Sequence, residues 1–128
     1  MSRTLFAVLT ASLVLLAAPA SVAGKTRSFR TPSGNIACLY SSTGGPGAFL
    51  RCDVLSEGDV AYRLKRRGHG RRIRVTDSVN DPRAWVLRYG RARAFGPFRC
   101  RSRVRGLTCR TRANGHGFFV SRERQRAF

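Results

Sequence analysis

Carboxylates are scarce in this chain: six Asp and Glu stand against 25 Lys and Arg in 128 residues. Six acids spread along the chain cannot build the oxygen cage of a calcium module. Lysine is rarer still, since Arg outnumbers it 23 to 2. Histidine occurs only at His69 and His116, and the four cysteines show no C-x-x-C spacing. A zinc site is therefore not expected. No G-x-x-x-x-G-K-[ST] or G-x-G-x-x-G leads from a strand into a helix, so no nucleotide cofactor is expected, and no other cofactor either. Sustained helical periodicity is missing. At 42% hydrophobic, however, the chain has enough apolar side chains to fold, which argues against a disordered basic tail.

The longest apolar stretch lies at the start. Arg3 supplies a positive charge, and Leu5 to Ala18 is interrupted only by Thr10 and Ser12. Pro19-Ala20-Ser21-Val22-Ala23 then ends in small residues. This pattern reads as a secretory signal over 1–23, cleaved after Ala23, and about 14 apolar residues are too few for a membrane span, which needs about 20. No cysteine follows the run, so a lipid anchor is not expected, and no later segment could span a membrane. What remains, 24–128, reads as one secreted domain, expected to be a monomer. Its 24 basic and six acidic side chains leave a net charge of +18.

A domain of about 100 residues buries only about two thirds of its unfolded surface, and this one repels itself, so covalent staples are expected. Cys38, Cys52, Cys100 and Cys109 can supply them in an oxidising compartment. Four cysteines allow three connectivities. Cys38–Cys52 and Cys100–Cys109 are favoured because each pair flanks a turn-like segment.

Seven short runs rich in Val, Ile, Phe, Tyr and Trp, bounded by Gly, Pro, Asn or Ser, read as strands. They are Asn35 to Tyr40, Phe49 to Val54, Arg72 to Val75, Trp85 to Tyr89, Phe98 to Ser102, Leu107 to Thr111 and Gly117 to Ser121. Thr31-Pro32-Ser33-Gly34 and Thr43-Gly44-Gly45-Pro46-Gly47 read as turns, and Arg122 to Phe128 as a possible helical turn. The expectation is an all-β sandwich or barrel. Trp85, Tyr40, Tyr62 and Tyr89 are expected in the core or lining a groove.

An ordered set of motifs carries a resemblance. Phe29-Arg30-Thr31-Pro32-Ser33-Gly34-Asn35-Ile36-Ala37-Cys38 is followed by Leu50-Arg51-Cys52-Asp53-Val54. Gly96-Pro97-Phe98-Arg99-Cys100, Gly106-Leu107-Thr108-Cys109 and Gly115-His116-Gly117-Phe118-Phe119-Val120-Ser121-Arg122 close the chain. The series resembles a family of small secreted bacterial proteins known as a domain of unknown function. Many of its members carry a further cysteine pair in the middle, which this chain lacks. The resemblance implies a secreted domain and transfers no catalytic residue.

The last cysteine pair suggests where the charge goes. Side chains alternate faces along a strand, so if Cys100 lies opposite Cys109, both point to one face. Arg99, Arg101 and Arg103 then point to the other, together with Thr108, Arg110 and Arg112. A second basic cluster holds Arg66, Arg67, Arg71 and Arg72 around Gly68-His69-Gly70, read as a loop tip. Glycine-flanked amides and bidentate guanidinium groups suit phosphate. These nine arginines are the candidate binding residues. The expected partner is an extracytoplasmic polyanion: a cell-wall polymer, anionic lipid head groups or nucleic acid. The competing expectation is a small secreted phosphodiester hydrolase resembling ribonucleases, with His116 as its weak catalytic candidate.

Overall fold

The computed structural model describes residues 12–18, 24–42 and 47–128. The cleavage site expected after Ala23 and most of the glycine-rich turn at 43–47 lie outside the described residues. Residues 12–18 are exposed and carry no regular secondary structure. Among the described residues, no helix is long and apolar enough to cross a membrane.

Two sheets form. The first holds β1 (Thr26–Arg30), β2 (Ile36–Ser41), β3 (Phe49–Val54), β4 (Val60–Lys65), β5 (Arg71–Arg74) and β6 (Trp85–Val86), in the order β5-β4-β3-β2-β1-β6. Only the β1–β6 pairing is parallel. The second holds β7 (Ala92–Phe95), β8 (Phe98–Arg103), β9 (Gly106–Thr111), β10 (Gly117–Val120) and β11 (Gln125–Ala127), an antiparallel meander in sequence order. The fold is an all-β, sandwich-like arrangement. One turn of 3-10 helix, Leu55–Glu57, links β3 to β4.

Aromatic rings join the sheets. Phe29 stacks on Phe95 with centroids 4.5 Å apart, Tyr40 meets Phe98 edge-on at 6.1 Å, and Tyr62 meets Phe118 at 5.9 Å. Leu50, Leu64, Leu107 and Val120 fill the space between and are fully buried. Burying each such side chain contributes about 1.5–3 kcal/mol. Both disulfides also face inward: Cys38 opposes and bonds Cys52, and Cys100 opposes and bonds Cys109. Each closes a hairpin of adjacent strands.

The outer side of the first sheet is partly covered. Arg51 points outward from β3 and clamps Asp53 through two bonds, of 2.8 and 3.2 Å. It also reaches Asp77 at 3.0 Å, and Val79 donates its backbone N–H to Asp53. Segment 77–79 is thereby strapped over β3. Burial pulls the Arg51 guanidinium down, but its bonds to Asp53 and Asp77 outweigh this and hold it above its usual value.

Among the described residues eleven strands form where seven were expected. β4 escaped although Val60, Tyr62 and Leu64 alternate in it, because it runs into the basic cluster read as a loop, and β1 offers only Phe29 as a large apolar residue. β7 and β11 are poor in β signals, being Ala-Arg-Ala-Phe and Gln-Arg-Ala. Cross-strand pairing, not local propensity, makes them strands. Arg122 to Phe128 is accordingly no helical turn; it contains β11, paired to β10. Trp85 to Tyr89 shrinks to a two-residue strand. Tyr40 and Tyr62 join the core, but Trp85 is 48% exposed, with the Arg93 guanidinium over its ring.

Candidate functional site

The outer face of the second sheet is where the arginines collect. Along β8 the burial alternates strictly, with Phe98, Cys100 and Ser102 inward and Arg99, Arg101 and Arg103 exposed. Register then sets the rows across the sheet. Arg99 opposes Arg110, whose strand places it opposite Gly117. Arg101 opposes Thr108, Thr108 opposes Phe119, and Phe119 opposes Arg126.

Those rows explain a groove. The middle strands present Gly106 and Thr108, which add little height, beside the Phe119 ring. Gly117 is obligatory: a Cβ there would meet the Cys109 carbonyl oxygen at 1.9 Å. A Cβ at Gly106 would strike the Phe119 ring at 2.5 Å. Long arginines on β8 and on the C-terminal strand stand to either side of this low centre. The resulting cleft encloses about 810 Å³.

Four of its lining arginines, Arg99, Arg101, Arg103 and Arg110, come from the hairpin that the alternation singled out. Arg105 in the β8–β9 turn and Arg124 and Arg126 at the C-terminal edge complete the set. Glu123 is the lone acidic side chain of the lining. Among the described residues, none of these seven guanidinium groups has an ion-pair partner; the acids that do pair are Asp53, Asp59, Asp77 and Asp81, all elsewhere. Phe119 and Phe128 also line the cleft. The guanidinium groups of Arg110 and Arg126 lie 4.7 and 5.0 Å from the Phe128 ring centre.

The other expected binding residues are placed elsewhere. Arg112 is exposed but donates to the Gly96 carbonyl at 2.8 Å and does not line the cleft. Arg66 and Arg67 sit in the β4–β5 loop and Arg71 and Arg72 on β5, at the edge of the first sheet. Sequence reasoning missed Arg105, Arg124, Arg126, Phe119 and Phe128 as partners of the hairpin. Their signal was the closing Gln-Arg-Ala-Phe, where Arg126 and Phe128 alternate with Gln125 and Ala127, but that stretch has no apolar alternation to mark it as a strand.

The two histidines meet. Gly70 packs directly on Gly117, where any Cβ would overlap the Gly117 carbonyl, and both donate their N–H to the Phe128 carbonyl, at 3.0 and 2.8 Å. This contact stacks the neighbouring His69 and His116 rings at 4.2 Å and 26° from parallel. Asn114 reaches the Arg66 carbonyl and Thr111 the Lys65 carbonyl, which fastens the basic loop to the β9–β10 turn. A pair this close leaves no space for a phosphate between its rings. Among the described residues, no three His, Cys, Asp or Glu side chains converge as a metal site.

A smaller cleft of about 170 Å³ adjoins the groove beside Arg103, Gly106, Ser121 and Glu123. Comparison of the chain with family models, with curated proteins and with solved structures finds no match.

Proposed function

We propose that this protein is an exported, monomeric β domain that binds a polyanion along the outer face of its five-stranded sheet. The reading includes removal of 1–23 near Ala23 and kinship with the secreted bacterial family its motifs resemble. One observation carries it: seven arginines line one groove with a single acidic side chain among them. Such clustering is repulsive in the free protein, and an incoming chain of phosphates relieves it while gaining bidentate contacts. Two disulfides suit an oxidising, extracytoplasmic setting.

The test is a titration of labelled polyphosphate with the purified domain. Changing Arg99, Arg101 and Arg110 together to Gln should weaken binding much more than changing Arg27, Arg83 and Arg88, which lie outside the groove. Equal weakening by both triples would leave only a diffuse positive field and no site.

A second reading, phosphodiester hydrolysis, is favoured by the meeting of His116 with His69. The close stack suits an acid–base pair poorly, because the two groups need the phosphate between them. Turnover of a fluorogenic RNA that is lost in His116→Ala, with the fold intact, would favour it over binding alone.

A further inference from the structure

Two phenylalanine rings in a groove otherwise made of arginine need a reason. A polymer of phosphate and polyol is matched by guanidinium alone, and a lipid surface would need rings that project beyond the charges, whereas these two line the groove among the arginines. We propose, resting on the polyanion reading above, that the ligand is a single-stranded nucleic acid whose bases lie against Phe119 and Phe128 while its phosphates meet the arginines.

The register supports this. Phe119 opposes Arg126, and Phe128 lies two residues further along the same edge, opposite Gly117. The two rings are thus diagonal neighbours, with Cβ atoms about 7–8 Å apart. That is close to the step between successive nucleotides of a stretched strand. Arg99 and Arg101 flank the rings from β8, and Arg126 flanks them from β11, so phosphates have partners on both sides of the base track. Arg110 and Arg126 lie over the Phe128 ring at 4.7 and 5.0 Å, so a base at this position stacks on their guanidinium planes or displaces one of them from the ring. A duplex fits the arrangement badly, because its bases face each other and cannot reach the rings. Each ring–base stack is worth about 5- to 150-fold in affinity.

The rings also serve the fold, since Phe119 lies over Gly106 and Phe128 holds two arginines. The experiment must therefore vary the ligand as well as the protein. A labelled 12-residue oligothymidylate, an abasic oligonucleotide of the same length, a duplex of that length and a polyphosphate of matched charge are titrated against the intact domain at one salt concentration. The expected result is that oligothymidylate binds at least tenfold tighter than the abasic strand and the polyphosphate, and tighter than the duplex. In the Phe119→Leu, Phe128→Leu variant oligothymidylate should bind no tighter than the polyphosphate does to that same variant, while Phe119→Tyr keeps the advantage. If the abasic strand or the polyphosphate binds as well as oligothymidylate, the base-stacking inference is overturned and the polyanion reading stands. If the duplex binds best, a double-stranded ligand replaces it. If none of the four binds, the polyanion reading itself falls.

Discussion

Arg99 and Arg110 stand directly opposite each other on adjacent strands, on the same outward face, with no carboxylate paired to either. Like charges so placed cost the free protein roughly 0.2–1 kcal/mol. The Arg110 guanidinium finds partial relief over the Phe128 ring and at the Gly115 carbonyl, 3.4 Å away. Its neighbour Arg99 has no such contact.

Relief by an anion should appear as added stability. Any ligand that binds only the folded state stabilises it by about 2.7 kcal/mol at a hundredfold excess over Kd. The melting temperature should therefore rise with added polyphosphate and rise much less in the Arg99, Arg101, Arg110 triple Gln variant. Equal shifts in both proteins would detach the effect from the groove.

The contact between Gly70 and Gly117 should be intolerant of any side chain, because the clashing atoms are backbone. Gly70→Ala is expected to cost about 1–3 kcal/mol and to release the 66–70 loop. Amide exchange at residue 70 would then accelerate, as its N–H loses the Phe128 carbonyl. Unchanged exchange in a folded variant would show that the loop is held by something else.

Each disulfide should matter greatly in so small a domain. The cysteines are 14 residues apart in one bridge and 9 in the other. The chain-entropy account gives about 3 kcal/mol for the first and slightly less for the second. Urea unfolding of Cys38→Ser/Cys52→Ser and of Cys100→Ser/Cys109→Ser should show losses of that order. A loss well under 1 kcal/mol for either pair would mean that packing alone holds that hairpin.

Acid should loosen the strap over the first sheet. The hydrogen bond from Arg51 holds the exposed Asp77 carboxyl below its ordinary value. A carboxyl depressed in the folded state contributes stability above its unfolded value, about 3.9, and loses it as the pH falls through the folded value. The acid limb of the stability curve below about pH 4 should be shallower in Asp77→Asn than in the parent. Superimposable limbs would show that this pair contributes nothing.

The parts of the fold that could be read from sequence are runs of β-branched and aromatic residues bounded by turn residues and, in the last hairpin, an alternation of polarity. β8, with Phe98, Cys100 and Ser102 alternating against arginines, exposes its two faces in the sequence itself. The hairpin arginines followed from that alternation, and the all-β class from the bounded apolar runs. β11 carries no such signal, and its place beside β10 depends on pairing with residues already folded. Arg124, Arg126 and Phe128 were therefore invisible as partners of a hairpin some 20 residues earlier, although all three line the groove. The meeting of His69 with His116 was hidden for a related reason: it depends on the backbone of Gly70, in the β4–β5 loop, touching that of Gly117 on β10. Arg112 sits in register with the face, yet a nearby carbonyl claims its guanidinium, a detail that strand alternation does not encode.

The salt dependence of binding tests the groove most directly. Six or seven phosphates contacted by a flexible strand give a log–log slope of about −4 to −5, at −0.7 per contact. Replacing Arg99, Arg101 and Arg110 by Gln should flatten that slope by about 2 units, whereas replacing Arg27, Arg83 and Arg88 should leave it within about half a unit of the parent's. Equal flattening by the two triples would contradict a dedicated groove and leave the charge of this protein as an unlocalised field.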